Sequence, residues 1–85
     1  TSESRLWKHV ICQSISDAYL GSKKEKLSVG EWIMSDDFIS VCDLATLNSE
    51  RLSKLIKEIL TSKPLVARYL GERLKKVIQS RAISM

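Results

Sequence analysis

Apolar residues recur along this chain at intervals of three and four, and almost nowhere at intervals of two. That spacing belongs to helices with one buried side, since 3.6 residues complete a turn. The segment SESRLWKHVICQSISDAYLG sets Leu6, Trp7, Val10, Ile11, Ile15, Ala18 and Tyr19 on one side of a first helix, and Gly21 offers its stop. The polar run SKKEK reads as a loop. Ser28, with Glu31 three residues on, has the form of a capping box and predicts a short second helix carrying Trp32 and Ile33. Ser35 is suited to cap a third helix. Its first turn would hold Asp36 and Asp37, where the helix dipole favours negative charge, and its inward face Phe38, Ile39, Val41, Cys42 and Ala45. Asn48 or Ser49 caps the fourth, whose apolar positions are Leu52, Leu55, Ile56, Ile59 and Leu60. TSKP interrupts the pattern, and Pro64 fits the first turn of a last helix because its missing N–H is not needed there. That helix carries Leu65, Val66, Tyr69, Leu70, Leu74, Val77 and Ile78.

The sum is an all-α fold: a compact bundle of about five helices forming one domain over residues 1–85. A chain of this length buries about two-thirds of its unfolded surface, enough for a modest core. Its 44% apolar and 28% charged content is that of a globular chain. No apolar run approaches the roughly 18 residues of a membrane span, so no membrane is expected among its partners. Cys12 and Cys42 both sit among apolar neighbours on helices, which predicts two buried thiols and a reducing, cytoplasmic setting.

Little in the chain suggests catalysis. A single histidine, His9, and no Cys-x-x-Cys leave no metal set and no nucleophile with its base. Gly21, Gly30 and Gly71 are isolated and build no phosphate loop. Asp36 and Asp37 are explained by helix capping. No cofactor, catalytic residue or metal site is expected, and the chain does not read as an enzyme. Aromatics at 6% are too few for a platform that stacks single-stranded bases.

Charge adds more. Residues 1–50 hold five basic and eight acidic side chains, net −3, whereas residues 51–85 hold nine basic and two acidic, net +7. A one-sided basic field attracts polyanions. The basic half begins inside the stretch VCDLATLNSERLSKLI, residues 41–56. There a small residue (Cys42) and another (Ala45) precede a short turn containing Leu47, and Leu52 and Leu55 follow as apolar anchors ten and thirteen residues after Cys42. Two helices crossing steeply need such small residues at the crossing and such anchors on both sides.

This stretch resembles the helix-turn-helix of phage repressors and related bacterial regulators, at Val41, Cys42, Asp43, Leu47, Leu52 and Leu55. More loosely, WIMSDDFISVCDLATLN is similar to short proteins of alphaproteobacterial phage and prophage-like regions. The resemblance implies a helix-turn-helix at about residues 36–60 and double-stranded DNA as partner, in a transcriptional regulator or phage-derived accessory factor. It implies that Asn48, Ser49, Glu50, Ser53, Lys54 and Lys57 face the major groove, the lysines toward phosphates or guanine edges, with Arg51 on the flank for a backbone contact. Arg68, Arg73, Lys75, Lys76 and Arg81 of the last helix would add backbone contacts. The family usually has glycine in the turn where this chain has Thr46, and a β-branched residue disfavours positive φ, so a differently shaped turn is expected. Two readings stay beside this one: a plain helical hairpin, and a helical protein-interaction module without DNA contact. A homodimer is left open.

Overall fold

The computed structural model describes the backbone of residues 2–83 and the side chains of 3–80. Five helices follow one another: α1 (Ser2–Leu20), α2 (Lys23–Trp32), α3 (Asp36–Leu44), α4 (Ser49–Thr61) and α5 (Pro64–Ile83). No strand occurs among the described residues. The all-α expectation holds. None of these helices is long and apolar enough to cross a membrane.

α1 is the central element, packed against all four of the others and most extensively against α5. Its stripe of Ile11, Cys12, Ile15 and Ala18 is buried and meets Val29 and Ile33, then Phe38, Val41, Cys42 and Ala45, then Leu52, Ile56 and Ile59, then Ala67 and Ile78. On each helix they recur at the three- and four-residue spacing of one face, and each Val, Leu, Ile or Phe among them stabilises the fold by roughly 1.5–3 kcal/mol when fully removed from water. Both cysteines are free and buried. Burial, with a smaller push from the Asp43 carboxylate, raises the Cys42 thiol to about 11, so it stays protonated and inert at neutral pH.

Capping determines where the helices begin. The loop expected at SKKEK is instead the first turn of α2. The capping box is Ser22 with Glu25, not Ser28 with Glu31: the Glu25 N–H donates to Ser22 Oγ at 3.3 Å and the Ser22 N–H to Glu25 Oε1 at 3.0 Å. Both pairs have the same spacing, but only the earlier one lies outside a helix, where its N–H groups need partners. Ser35 does cap α3, accepting from the Phe38 N–H at 3.3 Å. Asp37 has a second role, for its Oδ2 accepts from Trp32 Nε1 at 2.8 Å. That bond steadies the indole, which meets the Phe38 ring edge-on at 5.0 Å.

The apolar faces are narrower than the spacing suggests. Leu6 on α1 and Ile39 on α3 are exposed rather than inward. The largest departure is α5, where Leu65, Val66, Tyr69 and Val77 are exposed and the buried positions are Ala67, Gly71 and Ile78. A Cβ built on Gly71 would overlap the Tyr19 ring, so α5 passes close to α1 here only because residue 71 has no side chain. Lys75, one turn on, seals the same crossing: its Nζ donates to Ser16 Oγ at 2.8 Å and sits 5.1 Å from the Tyr19 ring centroid.

Candidate nucleic-acid interface

The segment joining α3 to α4 is closed by hydrogen bonds to the end of α3. The Leu47 N–H reaches back to the Cys42 carbonyl at 2.8 Å and the Thr46 N–H to the Asp43 carbonyl at 3.1 Å. This six-to-one and five-to-two pair is the Schellman closure, which needs a left-handed residue just past the helix. Thr46 supplies it, with φ of 59°, the one non-glycine residue at positive φ among those described. The β-branched side chain does not keep the backbone out of this region. Thr46 adopts the conformation a glycine would take, at a cost of about 1–2 kcal/mol for the Cβ clash, and its Oγ1 donates to the Ala45 carbonyl at 2.6 Å.

The turn directs Leu47 toward the core, where it is half-buried, and α4 starts two residues later. Asn48 is the cap: its Oδ1 accepts the Arg51 N–H at 3.0 Å. Leu52 is buried as expected. Leu55 is not, at 38% exposed, and Ile56, fully buried, takes the place expected of it. The physical reason lies in the helical period. Leu52, Ile56 and Ile59 follow i, i+4, i+7 and form one stripe, while Leu55 sits about 60° to its side.

The candidate residues separate into distinct places. Lys54 and Lys57 are exposed, on the side of α4 turned away from the buried stripe, together with Glu50 and Thr61. Ser49 and Ser53 are half-buried on one flank. Arg51 lies on the other flank, where it lines an open groove between α4 and α5 with Arg73, Tyr69 and Glu58. Arg73 donates from Nη1 to the Tyr69 hydroxyl at 2.9 Å. Arg68 pairs with Glu72 on the surface of α5, with Nε 3.5 Å from Oε1. Lys75 is turned to α1, as described, and Lys76 is exposed. The Arg81 side chain lies outside the described residues.

The two basic helices thus share one cationic boundary, Arg51 with Arg73, rather than a single sheet of positive charge. The groove itself was missed in the sequence. Its floor and walls are Leu47, Leu52, Leu55, Leu70, Leu74 and Val77, and its volume is about 670 Å³. The available signal was the surplus of apolar residues on α5, more than one helix face can bury. Comparison with models of known protein families, with curated proteins and with solved structures finds no match to this chain.

Proposed function

We propose that this chain binds double-stranded DNA, using α3, the turn at Thr46 and α4 as a helix-turn-helix, in a transcriptional regulator or phage-derived accessory factor. The observation that carries the reading is the outward face of α4. Lys54 and Lys57 stand exposed opposite Leu52, Ile56 and Ile59, on a helix whose start is fixed by the Schellman turn and the Asn48 cap. A helix held by its inner stripe and carrying cations on its outer one can enter a major groove with the lysines toward phosphates or guanine edges. Arg51 and Ser49, at the helix start, are near enough to that face to add contacts. From α5, Arg73, which lines the groove beside α4, is the residue we assign to a backbone contact, and Lys76 is exposed one turn on. Lys75 is held by α1, which lowers its claim.

Fluorescence anisotropy with a mixed-sequence duplex at two salt concentrations tests this. Binding should weaken steeply with salt, and each of Lys54→Gln and Lys57→Gln should make the log–log slope shallower by about 0.9. Binding that ignores both substitutions, or no binding at low salt, removes the proposal. The interaction-module reading is favoured by a different feature, the apolar groove beside α4.

A further inference from the structure

We infer that the groove between α4 and α5 is a docking site for an acidic amphipathic helix of a partner protein. This inference shares Arg51 and Arg73 with the DNA-binding reading, but its apolar contacts lie on the flank of α4 and not on the outward face of Lys54 and Lys57.

Three observations lead to it. The groove has an apolar floor left open in the folded chain, with Leu55 at 38%, Val77 at 47% and Tyr69 at 61% exposure. Large apolar side chains left uncovered side by side on a small domain mark a contact surface. Along α4 its lining runs from Asn48 to Glu58, on the order of 15 Å at 1.5 Å per residue. That is close to three helical turns, the span over which an amphipathic helix presents apolar anchors at i, i+3, i+4 and i+7. Finally, the charge at its edges has one dominant sign. Arg51 and Arg73 line the groove itself. Glu58 is the single carboxylate in the lining.

That charge selects the occupant. A second copy of this chain, seated by the same surface, would set cationic lips against cationic lips, which is unfavourable. A basic helix meets the same repulsion. A helix with leucines on one side and glutamates along its edges satisfies both floor and lips. Tyr69 and Arg73, already bonded to each other, give it a preorganised donor pair for a carboxylate.

The probe is a fluorescein-labelled synthetic helix with leucine at i, i+3, i+4 and i+7 and glutamate at its flanks. Its counterpart carries lysine in place of glutamate. The full chain should bind the acidic peptide about tenfold or more tightly than the basic one. Arg73→Glu should weaken the acidic peptide and strengthen the basic one. Leu55→Ser with Val77→Ser should weaken both peptides, and circular dichroism melts show whether these surface variants keep the fold. Equal affinity for the two peptides overturns the inference. So does peptide binding that survives Leu55→Ser with Val77→Ser, and so does concentration-dependent self-association abolished by those same changes.

Discussion

α4 and α5 are neighbouring basic helices, yet they meet the core in opposite ways. α4 turns its large aliphatic residues inward, Leu52, Ile56 and Ile59, and leaves lysines outside. α5 lies against the core through the small Ala67 and Gly71, buries one large residue, Ile78, farther along, and leaves Leu65, Val66, Tyr69 and Val77 outside. The difference follows from distance. α4 leans on a broad core that long side chains fill, whereas α5 lies so close against α1 that a methyl group at residue 71 would overlap the Tyr19 ring. Where helices approach this closely, the small residue is the buried one, and large apolar side chains are displaced to the rim. There they make the wall of a groove.

The contrast predicts unequal responses to truncation. Ile56→Ala, in the filled core, should destabilise by about 3 kcal/mol or more through lost burial and the cavity left behind. Leu55→Ala one residue away, and Val77→Ala on α5, should each stay below about 1 kcal/mol. Urea unfolding of the three variants measures this, and equal losses would erase the distinction between the two faces.

Gly71→Ala tests the close crossing itself. In an exposed helix this change stabilises by up to about 1 kcal/mol. Here the added methyl must displace Tyr19, and with it the Lys75 contact, so a net loss of about 1–2 kcal/mol is expected from overpacking. A gain in melting temperature would show that α1 and α5 are further apart than described.

The smallest effect concerns the entrance to α4. Thr46→Gly should relieve the left-handed strain, offset in part by the greater freedom glycine has when unfolded, for a net stabilisation of about 0.5–1 kcal/mol. Unchanged or lower stability in a thermal melt would argue against the Schellman closure.

Much of this was legible in the sequence, because helix starts and stripes are local. The Ser35 cap, a cap at Asn48 or Ser49, the break at Pro64 and the buried Leu52, Ile56 and Ile59 follow from short-range spacing. In the sequence SKKEK reads as a loop, which puts the capping box at Ser28, and only the actual start of α2 moves it to Ser22 and Glu25, which have the same spacing. What was not legible depends on a partner distant in the chain. Gly71 matters because of Tyr19, Lys75 is drawn from the surface by Ser16, and the inner and outer sides of α5 are set by α1. The candidate site divides in the same way. The outward position of Lys54 and Lys57 could be read from periodicity, while the groove shared by Arg51 and Arg73 required knowing that α5 folds back along α4.

The central claim is that the outer face of α4 touches DNA, and amide chemical-shift mapping tests it most directly. Titrating a short duplex into the nitrogen-15-labelled protein should shift Ser49, Glu50, Lys54 and Lys57 first, with α1 and α2 unaffected. Shifts confined to Leu55, Tyr69 and Val77, or spread evenly over every lysine, would contradict it.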